Sequence, residues 1–176
     1  MTTKPNPDSH INGRTVESRA MFWWTVKLVI GVGLIVHSIA GHLGFIGHIG
    51  QLAPAIPLCI IVFAGAANLY HYVLIRRYNR DISRPEVLIK EGGLFSRVRH
   101  PMYFFDLILY LGIALYPMSY WSIALYAAAV VAIVWLAEEE DSLMANRFGD
   151  DFSSWRETTS VLMPLPRNLK AAENTH

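Results

Sequence analysis

Residues 52–75 read LAPAIPLCIIVFAGAANLYHYVLI. None of them is charged. The hydrocarbon core of a bilayer is about 30 Å thick and takes about 20 apolar residues in helical form to cross, so this run is long enough. Tyr70 and Tyr72 lie near its end, and Arg76, Arg77 and Arg80 follow it directly. Amphipathic rings and then cations are what a membrane–water boundary carries. The run predicts a transmembrane helix, and the chain around it repeats the pattern.

Residues 21–40 form an apolar run with one charge, Lys27, close enough to the end to snorkel. Phe22, Trp23 and Trp24 stand where an interfacial aromatic belt belongs. Residues 102–116 form a third run, with the single acid Asp106, and residues 120–137 a fourth, opened by Tyr120 and Trp121. Only Pro117, Met118 and Ser119 separate these two, which makes a tight helical hairpin. Both are a little short, so they tilt little or thin the bilayer. Hydrophobic residues make up 53% of the chain and charged residues 16%, a balance shifted well away from the soluble average. The expectation is an all-α integral membrane bundle of four transmembrane helices.

The basic residues test that count. Residues 41–51 and 117–119 hold no Lys or Arg. Arg76, Arg77, Arg80, Arg84, Lys90, Arg97 and Arg99 fall between the second and third runs. Lys4, Arg14 and Arg19 precede the first run, and Arg147, Arg156, Arg167 and Lys170 follow the fourth. With four spans every one of these lies on one side, and the positive-inside rule makes that side, with both termini, cytoplasmic. A net charge of +1 gives no bulk electrostatic case for nucleic acid. Cys59 is the one cysteine, which excludes an internal disulfide and a cysteine-based zinc cluster.

The rest of the chain divides around the spans. Residues 1–19 are polar, carry Pro5 and Pro7, and read as a disordered tail rather than a signal peptide, whose apolar core would be shorter. Residues 20–167 form the membrane domain. Residues 41–50 carry glycine every third position and read as a surface loop. His37, His42 and His48 are five and six residues apart, do not stack on one helical face and have no acid near them, so no metal site is expected. Leu143, Met144, Phe148, Phe152 and Trp155 recur at helical spacing and predict an amphipathic cytoplasmic helix over about 139–158. Pro164 and Pro166 end it, and 168–176 is a flexible tail. No organelle-type signal is present, which is compatible with a bacterial inner membrane.

Two polar clusters mark the cytoplasmic ends of neighbouring spans. Arg97-Val98-Arg99-His100-Pro101-Met102-Tyr103 opens the third, and Glu138-Glu139-Glu140-Asp141 leaves the fourth. An antiparallel hairpin brings these ends together. Part of this has a plain structural reading: arginines there mark topology, exposed salt bridges contribute little, and Pro101 suits a helix's first turn. Four consecutive acids after a span repel one another and gain from a cation to bind, and ionisable residues at membrane depth point to function.

The order of these elements resembles the isoprenylcysteine carboxyl methyltransferase and phospholipid methyltransferase superfamily. The matching stretch is residues 88–103, LIKEGGLFSRVRHPMY, with glycine before an aromatic and then Val-Arg-His-Pro-x-Tyr opening a span. After the hairpin, Glu140-Asp141, Met144, Phe148-Gly149, Phe152, Trp155 and Pro164 or Pro166 continue the pattern. The resemblance covers residues 88–166. The family pair is usually Glu-Glu, and counting back from Phe148-Gly149 lands on Glu140-Asp141, while Glu139-Glu140 needs one more residue. Where the family commonly has glycine soon after the tyrosine, this chain has Phe104, Phe105 and Asp106.

The resemblance implies S-adenosylmethionine as cofactor and a lipid-like or small apolar acceptor bearing a carboxylate, amine or thiol, in contact with membrane lipids. On it, Arg99 would pair with the cofactor's carboxylate, and Glu139, Glu140 and Asp141 would supply the acidic side of the site for its ammonium or ribose. The backbone at Gly92 and Gly93 would approach the nucleoside, and His100 and Tyr103 would line the pocket. Methyl transfer needs positioning more than a strong base, and for an amine acceptor His100 is the nearest base. Arg99 and His100 are therefore the expected catalytic pair. Asp106 either contacts acceptor or cofactor or hydrogen-bonds across the hairpin. Two other readings stand beside this one: an NADPH-dependent membrane reductase using Arg97 and Arg99, and a non-enzymatic membrane subunit.

Overall fold

The computed structural model describes residues 7–50, 52–81 and 85–164, with side chains from residue 16 onward. It is a bundle of five helices: α1 (Pro7–His42), α2 (Ala55–Tyr78), α3 (Pro101–Leu115), α4 (Tyr120–Phe148) and α5 (Asp150–Thr158). Three stretches are long and apolar enough to cross a membrane, Val16–His42 of α1, α2, and α4; α3 is apolar but shorter. Among the described residues the one strand-like pairing is an isolated bridge between Val98 and Ser160.

Local chemistry sets the helix ends. Pro101 occupies the first turn of α3, where its missing N–H is no loss. Ser119 and Ser122 cap α4 reciprocally: Ser122 N–H donates to Ser119 Oγ at 3.1 Å, and Ser119 N–H to Ser122 Oγ at 2.9 Å. Gly149, at φ +55°, stops α4. α1 packs along α4 and α2 along α3, with α3 and α4 antiparallel across their short turn. Leu34, Tyr103, Tyr110, Ala129, Ile133 and Leu136 form the interior seam, where small residues such as Ala129 let the helices approach. Trp23 of α1 stacks on Trp135 of α4 with centroids 5.9 Å apart. The outward faces of α1 and α2 are apolar instead, with Val29, Val32, Val36, Val62, Phe63 and Leu69 all exposed. Faces of that size and chemistry suit lipid, not water.

Three expectations need correction. The tail at 1–19 is helical from Pro7 on, as the first turns of α1. Once the apolar run nucleates a helix, each further residue adds a hydrogen bond, so propagation runs through the polar stretch. The single helix expected over 139–158 is instead the continuation of α4 to Phe148 and, past Gly149, the separate α5. Glu138 to Asp141 contain nothing that breaks a helix, and Gly149 does. Lys27 does not snorkel. Its ammonium lies 2.7 Å from Asp106 Oδ2, each side chain only 13% exposed, and 4.8 Å over the Tyr103 ring. Asn68 of α2 donates to the other Asp106 oxygen. Residues 1–6, Arg84 and 168–176 lie outside the described residues.

The 41–50 segment folds onto the tip of the α3–α4 hairpin. Ile49 N–H donates to Met118 O at 2.9 Å, and a His48 ring nitrogen lies 2.6 Å from Pro117 O. His37 bonds Ser119 Oγ at 2.7 Å and His42 meets the Tyr116 hydroxyl at 3.1 Å.

A buried ion pair at membrane depth gives a double-mutant test. Asp106→Leu alone leaves an uncompensated ammonium and is expected to destabilise by about 3–5 kcal/mol, while Lys27→Met with Asp106→Leu recovers most of that loss. Unfolding of the detergent-solubilised protein by heat or by SDS measures both; a double variant no better than the single one refutes the pairing.

Candidate functional site

The segment between α2 and α3 is held by side chains of α2's C-terminal end. Asn79 is buried; its amide donates to Val87 O at 3.0 Å, and its Oδ1 accepts from Glu86 and Val87 N–H at 2.7 and 2.8 Å. Leu94 N–H donates to His71 Nε2 at 3.0 Å, so the ring proton sits on Nδ1, which bonds Ala67 O at 2.7 Å. Gly93, at φ +53°, lies so close that a Cβ there would fall 2.5 Å from His71 Nε2. The glycine is required by this approach to α2.

The next residues join the C-terminal segment. Arg99 N–H donates to Ser160 O at 2.9 Å, Ser160 N–H to Arg97 O at 3.0 Å, and His100 N–H to Val161 O at 3.1 Å. Trp155 Nε1–H donates to Phe95 O at 3.2 Å. These bonds carry the loop before α3 and the chain after α5 to the acidic extension of α4, which lies beyond the apolar stretch 120–137.

Four charged groups meet there. Arg99 grips Asp141 with two edges, Nε to Oδ2 at 3.0 Å and Nη2 to Oδ2 at 2.9 Å, and its Nη1 donates to Thr159 O at 2.7 Å and Arg156 O at 3.2 Å. His100 Nε2 donates to Asp141 Oδ1 at 2.8 Å, and its Nδ1 lies 3.4 Å from Glu140 Oε2. The Tyr103 hydroxyl donates to Glu140 Oε1, and its ring stacks on His100 at 5.5 Å. Burial alone would lower the pKa of His100, but the hydrogen bonds and charges of Asp141 and Glu140 outweigh it and raise it to about 9. Burial alone would raise Asp141, but His100 and Arg99 hold it below the usual carboxylate value. Two cations face two carboxylates, so the cluster is neutral as a whole.

One side of this cluster opens on a cavity of about 810 Å³, within the range of small-molecule sites. Arg99, His100, Tyr103 and Glu140 line it together with Glu17 and Met21 of α1. Its walls are otherwise mainly apolar, Ile89, Phe95, Leu143, Met144 and Phe152 among them. The structure thus assembles Arg99, His100, Tyr103, Glu140 and Asp141, with Asp141 beneath the lining. Glu139 turns to α1, 3.8 Å from Arg19, and Gly93 turns to His71; neither lines the cavity. Glu17, Asn79 and Arg147 do line it, and the sequence reading passed over them as site residues. Arg147 was legible, two helical turns from Glu140 on one face. Glu17 lay in a stretch read as disordered, and Asn79 carries no local signal.

Apolar helices long enough to span a bilayer, with a mainly apolar cavity beside a charged cluster at their ends, define a helical membrane protein. A comparison with protein families matches residues 55–151, more than half of the chain, to the phospholipid methyltransferase family. The chain belongs to that family. The match takes in α2, α3, α4 and the Arg99–Asp141 cluster, and leaves out α1 and the segment from Phe152 on. Neither the comparison with curated proteins nor that with solved structures gives a match.

The raised pKa of His100 links folding to pH. A histidine ordinarily near 6.5 and near 9 in the fold stabilises the fold fully below about pH 6.5, and that contribution is lost progressively up to about pH 9. The melting temperature in detergent is expected to fall across this window, and His100→Gln is expected to flatten the fall. Parallel curves would place the titration elsewhere.

Proposed function

We propose that this chain is a membrane-embedded methyltransferase that uses S-adenosylmethionine and acts on a lipid-like or small apolar acceptor bearing a carboxylate, amine or thiol. The observation that supports it most is the cavity at the helix ends, with Glu140, Tyr103 and His100 on one wall and apolar side chains on the others, in a chain of the phospholipid methyltransferase family.

The residues present fit such a cofactor. Glu140 is the carboxylate of the cluster that stays partly open, its side chain 32% exposed, and it stands where a cationic group can be met. Phe95, Leu143 and Met144 offer apolar surface to a nucleoside. When bound, the cofactor supplies an electrophilic methyl group. The chain's own part is to hold two reactants in line and to exclude water. Tyr103 orients Glu140 through its hydroxyl. His100, already protonated and bonded to carboxylates through both nitrogens, fixes Glu140 and Asp141. For an amine acceptor, the group open to take a proton is Glu140. Arg99 acts as a positioning residue, because its guanidinium is engaged by Asp141 and two carbonyls.

The same reading takes α3 as a fourth span. Its helix is apolar from Pro101 to Leu115, and four spans gather the arginines flanking the apolar runs on the cavity's side of the membrane, with both termini cytoplasmic. The water-soluble cofactor then arrives from the cytoplasm and the acceptor from the bilayer.

Isothermal titration of the detergent-purified protein with S-adenosylmethionine is the test. Wild type is expected to bind saturably. Glu140→Gln is expected to weaken binding about tenfold or more with little change in melting temperature, as loss of a charged partner does. Arg99→Ala is expected to lower the melting temperature first. A folded wild type that does not bind would overturn the proposal.

A further inference from the structure

The cavity has a second charged pole. Glu140, Leu143, Met144 and Arg147 all line it, and their spacing of three, four and seven residues puts them on one face of α4. Glu140 stands at the end nearest the apolar stretch. Arg147 lies two turns further out, about 10 Å along the helix axis. Leu143 and Met144 fill the interval. The α4 face therefore runs from an anion through apolar surface to a cation.

The other cations that line the cavity are engaged. Arg99 is bound to Asp141 and two carbonyls, and His100 to two carboxylates. Lys90 pairs with Asp151 at 2.5 Å and Arg19 with Glu139 at 3.8 Å. Arg147 is exposed and, among the described residues, has no hydrogen bond or ion pair. Asn146, also exposed, lines the same cavity beside it. A guanidinium with open, coplanar donors matches a carboxylate or phosphate. A cation in a helix's last turn also interacts favourably with the helix dipole, but that role uses the charge alone and does not need the fork of donors.

We infer that Arg147 is the oxyanion-binding residue of the cavity, receiving the carboxylate or phosphate of a ligand whose cationic centre faces Glu140. The inference rests on the methyltransferase reading. It moves the anion-pairing role from Arg99, whose donors are engaged inside the fold, to a side chain seven residues along α4 from Glu140. Two sources offer the oxyanion: the amino-acid carboxylate of the cofactor, and the phosphate of a phospholipid acceptor.

The test titrates three ligands into full-length wild type, Arg147→Leu and Arg147→Lys in detergent. They are S-adenosylhomocysteine, 5′-methylthioadenosine, which lacks the amino-acid part, and a short-chain phosphatidylethanolamine. The expected result is that Arg147→Leu weakens one oxyanion-bearing ligand about tenfold or more, leaves 5′-methylthioadenosine unchanged, and is partly rescued by Arg147→Lys. A loss for S-adenosylhomocysteine assigns the pole to the cofactor's carboxylate, and a loss for the phospholipid assigns it to the acceptor's phosphate. Unchanged affinity for both, or a lowered melting temperature with no change in affinity, overturns the inference and leaves the dipole role. A wild type that binds neither nucleoside overturns the methyltransferase reading itself, an outcome separable from any difference between the variants.

Discussion

A buried arginine only 7% exposed, beside an aspartate equally covered, is the contact on which the charged end of this bundle depends. Arg99 stands two residues before α3, Asp141 on the extension of α4, and the carbonyls of Arg156 and Thr159 at the end of α5. One side chain therefore ties the start of α3 to the end of α4 and to the chain that follows. Its charge is largely shielded from water, so it is tolerable because Asp141 neutralises it and backbone oxygens take further donors. Remove Asp141 and both Arg99 and His100 lose a partner.

That arrangement decides which groups remain available for chemistry. Arginine beside histidine suggests a pair of cations facing a ligand. In the fold their donors are taken by carboxylates and carbonyls, and the carboxylate left partly open is Glu140, held from one side by His100 and from the other by Tyr103. The reactive surface of the cavity is thus set by residues that do not all touch it. Asp141 does so by charge, Asn79 by clamping the 85–87 backbone, and His71 by accepting from Leu94.

Much of this was legible in the sequence because the membrane imposes a simple grammar. Long apolar runs with at most one charge located the helices, and the three-residue hairpin placed residues 97–103 beside 138–141. What the sequence left open turned on where side chains point. Gly93 suggested room for a ligand; it makes room for His71. Glu138 to Asp141 looked like one acidic patch, but a helix turns about 100° per residue, so Glu139 faces Arg19, Glu140 the cavity and Asp141 the buried cluster. The pair seated at the cluster is Glu140 with Asp141, and the shorter acid is the one in the tighter space. Lys27 looked like an interfacial lysine because nothing in its own span could meet it; Asp106, 79 positions away, does.

That last contact bears on how the family's common part is completed. The family match begins at Ala55 and leaves α1 out, yet α1 is tied into the site. Lys27 binds Asp106 and lies over the ring of Tyr103, whose hydroxyl reaches Glu140. One turn and more towards the N-terminus of α1, Glu17, Ala20 and Met21 form a wall of the cavity. The matched helices carry the charged cluster, and a helix outside the match packs against its tyrosine and closes one side of the cavity. The groups that hold Glu140 and Asp141 directly, Tyr103 on α3 and Arg99 and His100 in the loop before it, all lie outside α1.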